Sequence, residues 1–247
     1  MKDRIPTWVY DFAHNVSKIP FAKAILKPLY YPYKARIVKR RQNKFKNNAL
    51  DVLKVFDECM SVNGYDYTLI FGTLLGAIRE KGFISHDFDI DVAIFKEQRC
   101  NALSDVLLAN GFKLYRRFTI DNGDLGCEET YLYKETGVSI DIFYVYPPID
   151  IYPYVCCWNY GKGCATYRET MKRYGGVTPR RIELPITHEI ERVQFENIMV
   201  NIPKQAHKIS EFSYGPNYMT PDPQYVPPTE HRVIWKDKKA FFEEFNW

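Results

Sequence analysis

Residues 70–95 read IFGTLLGAIREKGFISHDFDIDVAIF. A glycine–threonine pair, Gly72-Thr73, opens a short apolar run, and within twenty residues aspartates alternate with apolar side chains in Asp87-Phe88-Asp89-Ile90-Asp91-Val92. Side chains of an extended strand point alternately to opposite faces, so the pattern predicts Asp87, Asp89 and Asp91 on one face and Phe88, Ile90 and Val92 packed on the other. Carboxylates this close raise one another's pKa, and a fold that keeps them ionised normally supplies a cation. Oxygen-only ligands suit Mg²⁺, or Mn²⁺ in its place.

Working outward, Val138-Ser139-Ile140-Asp141-Ile142-Phe143-Tyr144-Val145 places one carboxylate in the middle of a β-branched, apolar strand. An unpaired buried carboxylate costs several kcal/mol, so such a strand aims it at a metal, a cation or a cleft. On the other side of the aspartates, the spacing predicts a strand over 67–71 and a helix over 73–80. The N-terminal amides of that helix form a ready phosphate site at Gly72 and Thr73. Arg79 and Lys81, in the loop before the acidic strand, are candidate clamps on a pyrophosphate.

The remaining periodicities predict a helix over 47–62 with apolar Leu50, Leu53, Val55, Phe56 and Met60, strands over 87–95, 112–118 and 129–134, and a helix over 97–110 closed by Gly111. A hairpin is predicted over 190–202 around Glu196-Asn197 and a short helix over 204–212. Residues 149–176, rich in Tyr, Trp, Gly and Cys, show no period and read as an insertion that shapes the substrate site. Together these elements predict an α/β (α+β) fold, a mixed β-sheet flanked by helices.

Glycine followed by Thr at a helix start, D-x-D on a strand and a third Asp on a neighbouring strand resembles the nucleotidyltransferase superfamily. Gly72 to Arg79, Gly82-Phe83-Ile84, Asp87 and Asp89-Ile90-Asp91 look like the LicD family of phosphocholine transferases and their fukutin-like relatives. Near the C-terminus, Val200-Asn201-Ile202-Pro203, then Tyr214-Gly215-Pro216-Asn217-Tyr218-Met219 and Pro221, is similar to the tail of the same family. The resemblance runs from about Leu69 to Pro223, and departs from the pattern at Phe88 and at Ser85-His86, where Pro-Trp is usual. It implies a nucleotidyltransferase-like catalytic domain in which Asp89, Asp91 and Asp141 hold Mg²⁺ or Mn²⁺ and carry catalysis, while Gly72, Thr73, Arg79 and Lys81 bind the donor. It implies that phosphocholine, or a related phospho-alcohol, moves from CDP-choline or another CDP-alcohol to a sugar hydroxyl of a cell-surface glycan, free or lipid-linked, with release of CMP. Tyr152, Tyr154, Trp158, Tyr160 and Tyr167 are candidates for an aromatic cage around a quaternary ammonium. The alternative is a nucleotidyltransferase that moves NMP from NTP to a small molecule or RNA end and releases pyrophosphate. A non-catalytic nucleotide or glycan binding module is a third reading, weakened by the presence of all three carboxylates.

At 247 residues, 46% hydrophobic and 16% aromatic, the chain has ample apolar content for one folded catalytic domain. Its formal charge of +4 conceals a split. Residues 1–50 hold 12 Lys or Arg against 2 acids, leaving 22 against 28 for residues 51–247. The catalytic body is thus net acidic, which argues against nucleic acid as a partner. Residues 1–46 read as a basic, aromatic segment (Trp8, Tyr10, Phe12, Lys18, Lys23, Lys27, Tyr33, Lys34), and residues 47–247 as the catalytic domain. Each Lys or Arg near anionic lipid contributes roughly 1 kcal/mol, so the segment suits peripheral membrane contact, or else a solvated helix that packs its aromatics on the domain. With no run of about 18 apolar residues and no signal-peptide pattern, the expected location is cytoplasmic, on the inner face of the membrane where it adheres. The six cysteines, without C-x-x-C spacing, read as reduced and structural; Cys156, Cys157 and Cys164 are the only group close enough in sequence to suggest zinc.

Overall fold

The computed structural model describes residues 20–222, 224–226 and 228–245, with side chains from residue 32 onward. Trp8, Tyr10, Phe12, Lys18 and Trp247 lie outside the described residues, as do the side chains of Lys23 and Lys27.

The core is a six-stranded mixed sheet in the order β1 (Thr68–Leu69), β2 (Ile90–Phe95), β5 (Ser139–Val145), β4 (Gly126–Tyr133), β3 (Phe112–Ile120) and β11 (Phe241–Glu244). Only β2 and β5 run parallel; every other neighbouring pair in this sheet is antiparallel. Beside it lie a three-stranded sheet of β10 (Arg232–Ile234), β7 (Thr178–Glu183) and β6 (Tyr154–Asn159), and a hairpin of β8 (Ile190–Phe195) and β9 (Ile198–Pro203). Helices α1 (Pro20–Val62), α2 (Phe71–Arg79), α3 (Asn101–Ala109), α4 (Tyr167–Tyr174) and α5 (Ala206–Tyr214) complete the fold. The mixed α/β architecture expected from the sequence is present.

Alternation along the strands sorts the sheet's two faces. Ile90, Val92, Ile140 and Ile142 join Leu53, Phe56 and Met60 of α1 in the buried core, as the helical spacing predicts. Burying one such side chain fully contributes roughly 1.5–3 kcal/mol. Asp91 and Asp141 point to the other face.

Several boundaries differ from expectation, each for a physical reason. α1 starts at Pro20 rather than at residue 47 and runs unbroken through the 46/47 boundary, a length of ~65 Å. Its early turns are rich in Lys and Arg, which favour helix without an apolar stripe, and interior Pro28 and Pro32 further mask it. β1 ends at Leu69 because Phe71, with φ of +48°, already turns the chain into α2. β2 begins at Ile90, not Asp87: its parallel partner β5 begins at Ser139, and Ile90 opposite Ile140 is the first register pair. Asp87 and Asp89 therefore lie in the loop ahead of the strand.

The stretch 149–176 is ordered rather than aperiodic. β6 buries Tyr154, Val155 and Cys156, and α4 starts at a Thr166 hydroxyl that accepts from the Glu169 amide. The Glu169 carboxylate returns to the Ala165 amide at 2.9 Å. That Thr-x-x-Glu spacing is a legible capping signal. β11 pairs with β3 and completes the edge of the sheet.

Candidate active site

One cross-sheet row gathers polar and charged candidates. Asp91 of β2 is the register partner of Asp141 on β5, Asp141 that of Thr130 on β4, Thr130 that of Arg116 on β3, and Arg116 that of Glu244 on β11. Register neighbours lie ~4.8 Å apart across a sheet, so the Asp91 and Asp141 carboxylates repel one another when both are ionised.

The main chain of Asp91 is pinned on both sides. Its amide donates to the Thr73 hydroxyl at 2.9 Å, and its carbonyl accepts from the Ile70 amide at 3.1 Å. Thr73 is fully buried, so its side chain ties α2 to the acidic strand. Gly72 lies one residue earlier, where a Cβ would stand 3.0 Å from Asp87 Oδ1. Glycine thus lets the Asp87 carboxylate approach the first turn of α2.

Arg116 organises the acids. Its Nε donates to Thr130 Oγ1 at 2.7 Å, and its Nη2 lies 3.3 Å from Asp141 Oδ2 and 3.5 Å from Glu128 Oε1. Trp158 donates its indole N–H to Glu128 Oε2 at 2.6 Å while stacking on Phe118. Asp141 Oδ1 and Asp87 Oδ2 are buried with no hydrogen-bond partner. Asp89 lies 3.3 Å from Arg41 Nη2 of α1.

Burial first, and then Asp89, Asp141, Asp87 and Glu128, push the Asp91 carboxyl well above the ordinary range. Burial and Asp89 lift Asp87 to about 7. Glu128 rises to about 8, with burial dominating, Asp141 adding and Arg116 opposing. Burial works against the Arg116 charge, but Asp141 and Glu128 outweigh it and hold the guanidinium protonated.

Two cavities flank the 87–89 loop. One, about 620 Å³, is lined by Asp89, Asp141, Arg41, Arg116, Tyr160 and Tyr167, among others. The other, about 800 Å³, is lined by Asp87, Arg79, His86, Phe83, Tyr214 and Tyr218, among others. Asp87 and Asp89 thus open onto different spaces rather than sharing the single strand face that alternation predicted.

Of the sequence candidates, Asp89, Asp91 and Asp141 come together with Thr73 and Gly72 behind them. Arg79 reaches the second cavity and donates to Glu80 and to the Tyr218 carbonyl. Lys81 is exposed and lines neither cavity; its carbonyl accepts from the Glu196 amide, which anchors the β8–β9 hairpin. The five cage aromatics do not converge. Tyr152 packs on Phe212, Tyr154 on Tyr146 and Trp158 on Phe118, leaving stacked Tyr160 and Tyr167 at the cavity. All six cysteines are free thiols, with Cys59, Cys127 and Cys156 buried.

Among the described residues no three His, Cys, Asp or Glu side chains form a ready metal cage. Asp89 lies beside the partly exposed Arg41, and Asp141 Oδ2 faces Arg116. The donor set still fits a hard cation. It is all oxygen, it includes the partnerless Asp141 Oδ1, and it is strained by like charge.

Sequence reasoning missed Arg41, Arg116, Glu128 and Trp158. For Arg116 and Glu128 a signal existed: Arg116-Arg117 and Glu128-Glu129 are charge doublets inside apolar strands. In a strand, a doublet sends one charge to each face. Arg116 and Glu128 reach the acidic face, while Arg117 and Glu129 pair at 2.7 Å on the other.

Uncharacterized protein T07A5.1 of Caenorhabditis elegans is 35% identical over 103 residues, 40% of this chain and 24% of that protein. Ribitol-5-phosphate transferase FKTN of Macaca fascicularis is 24% identical over 180 residues, 72% of this chain and 34% of that protein. The chain therefore spans about a quarter to a third of the length of these relatives. The LicD/FKTN/FKRP nucleotidyltransferase domain matches residues 64–205, more than half of the chain and the whole span from Gly72 to Asp141. With its acids on a parallel strand pair behind a Gly-Thr helix start, the chain belongs to the LicD/FKTN/FKRP nucleotidyltransferase-domain family.

Proposed function

We propose that this domain transfers a phospho-alcohol, phosphocholine or a related group such as a polyol phosphate, from a CDP-linked donor to a sugar hydroxyl of a glycan and releases CMP. The observation that supports this most directly is the acidic cluster flanked by two cavities: Asp87 lines one, Asp89 and Asp141 line the other, and Asp91 is the register partner of Asp141. A transferase brings two substrates to one group of charges, and each cavity is of ligand-binding size. The name of the fukutin relative, a ribitol-5-phosphate transferase, supports the phospho-alcohol class.

The acceptor oxygen would attack the distal phosphorus of the donor. The bond from that phosphorus to the bridging oxygen would break, and CMP would depart with the oxygen. Asp89, Asp91 and the open Oδ1 of Asp141 would hold a divalent cation, Mg²⁺ or Mn²⁺, which when bound neutralises charge on the transferring phosphoryl group. Asp141 would also help to take the acceptor proton, with Arg116 fixing its carboxylate. Thr73 would hold the Asp91 main chain, the first turn of α2 at Gly72 would present its amides to a phosphate, and Arg79 would face the second cavity.

Distal-phosphate labelling tests this. With CDP-choline, CDP-ribitol or CDP-glycerol carrying ³²P in the distal phosphate, the label is expected on the glycan acceptor, with unlabelled CMP released only when Mg²⁺ or Mn²⁺ is present. Label left on the free phospho-alcohol while CMP joins the acceptor, or turnover only with nucleoside triphosphates, would instead establish nucleotidyl transfer.

A further inference from the structure

Arg41 lies outside residues 64–205, the segment that matches the family, yet it reaches the acids. It occupies one face of α1 with Ile37 and Phe45, one turn away on either side, and both of these are buried. A stripe that packs against the body carries a cation where a third apolar residue would satisfy packing. The guanidinium lies 3.3 Å from Asp89 Oδ2, donates to the Phe88 carbonyl at 3.5 Å and stands over the Phe88 ring. The adjacent Gln42 donates to the Ser85 carbonyl at 3.0 Å, so α1 holds the acidic loop at both ends. Arg41 also lines the 620 Å³ cavity together with Asp89 and Asp141.

We propose that Arg41 is a substrate-phosphate ligand of this site, resting on Asp89 until a divalent cation takes that carboxylate and then turning to the phosphate that arrives with the cation. The inference rests on the metal-dependent phosphoryl transfer proposed above. Its chemistry is that of a planar, permanently charged fork, which binds carboxylate and phosphate oxygens alike. Asp89 and the phosphate are alternative partners of Arg41: the cation competes with it for Asp89, and the guanidinium so displaced serves the phosphate. The N-terminal helix thereby becomes part of the active site rather than an appendage to it.

The test is calorimetric and needs no turnover. Mg²⁺ is titrated into wild-type protein, R41Q and R41K, and inorganic pyrophosphate is then titrated at saturating Mg²⁺. R41Q is expected to bind Mg²⁺ as tightly as wild type or more tightly, because Asp89 loses a competing cation, and to bind pyrophosphate at least tenfold more weakly. R41K should recover part of that loss. Pyrophosphate affinity in R41Q within twofold of wild type overturns the inference, as does a parallel loss of Mg²⁺ and pyrophosphate binding, which would make Arg41 a support for the loop only. Wild-type protein that binds neither ligand removes the metal-dependent mechanism itself, and this inference with it.

Discussion

Asp91 and Asp141 are direct register partners on β2 and β5, the one parallel strand pair of the main sheet among the described residues. Parallel pairing places equivalent positions of two strands side by side on one face, so two residues 50 positions apart in the chain form one acidic site. The two are not equivalent. Asp141 shares Arg116 with Glu128, whereas Asp91 is surrounded by four other carboxylates.

That asymmetry separates activity from stability. Asp89→Asn, Asp91→Asn and Asp141→Asn are each expected to lower turnover by about 10²–10³-fold or more, the scale of losing one electrostatic contact in the transition state. Asp91→Asn should raise the stability of the metal-free protein, whereas Asp141→Asn should lower it by leaving Glu128 and Arg116 an incomplete network. CMP release together with urea unfolding checks both. Near wild-type turnover in any one variant removes that residue from the site.

Stability of the metal-free protein should fall as pH rises. Asp87 at about 7, Glu128 at about 8 and the raised Asp91 all have folded pKa values above their unfolded values of about 4. Between pH 4 and 8 the folded chain therefore holds more protons than the unfolded chain, and each such proton gives a slope of about 1.4 kcal/mol per pH unit against stability. Urea midpoints at pH 5, 6.5 and 8 should decrease in that order. Millimolar Mg²⁺ should flatten the trend, and a midpoint that rises with pH would show that these carboxyls are not protonated in the fold.

Two glycines of α2 should respond differently to alanine. A Cβ at Gly76 would stand 2.4 Å from the Gly82 carbonyl oxygen, which is main chain and cannot rotate away. Gly76→Ala is therefore expected to cost about 1–3 kcal/mol or more, on the scale of overpacking with backbone displacement. At Gly72 the added Cβ meets the Asp87 side chain at 3.0 Å, so Gly72→Ala should keep most of the stability and lose activity as that carboxylate moves. Thermal unfolding and CMP release on the two variants distinguish these outcomes.

The basic N-terminus invites a membrane test with a boundary set by the structure. Removing residues 1–44 would also delete Arg41 and Gln42, which touch the acidic loop. Residues 32–36 are exposed, so removing residues 1–31 leaves those contacts in place. This deletion removes 5 of the 12 Lys and Arg of residues 1–50, so it is expected to weaken sedimentation with anionic liposomes and retain activity on a soluble acceptor. High salt should mimic it, because exposed charges are screened beyond ~8 Å at physiological ionic strength. Equal sedimentation of both forms would remove the membrane role. Among the described residues no helix is long and apolar enough to cross a membrane.

The sequence by itself determined which residues are candidates for the site and much of the secondary structure around them. Gly72-Thr73, Asp89-Ile90-Asp91 and the isolated Asp141 were legible because each is a local conflict: a carboxylate in an apolar strand, or a glycine at a helix start. The α/β class and the β8–β9 hairpin were legible because periodicity is a property of a few consecutive residues. Only the tertiary structure decided how β2 begins, since a strand extends no further than its partner, and that placed Asp87 and Asp89 on separate cavities. It alone brought Arg41, Arg116, Glu128 and Trp158 to the acids, from segments as far as 50 residues before Asp91 and 67 after it. No local pattern encodes such a meeting, because a counter-charge is identified by what lies beside it in space, and that neighbour is set by strand order and register rather than by distance along the chain.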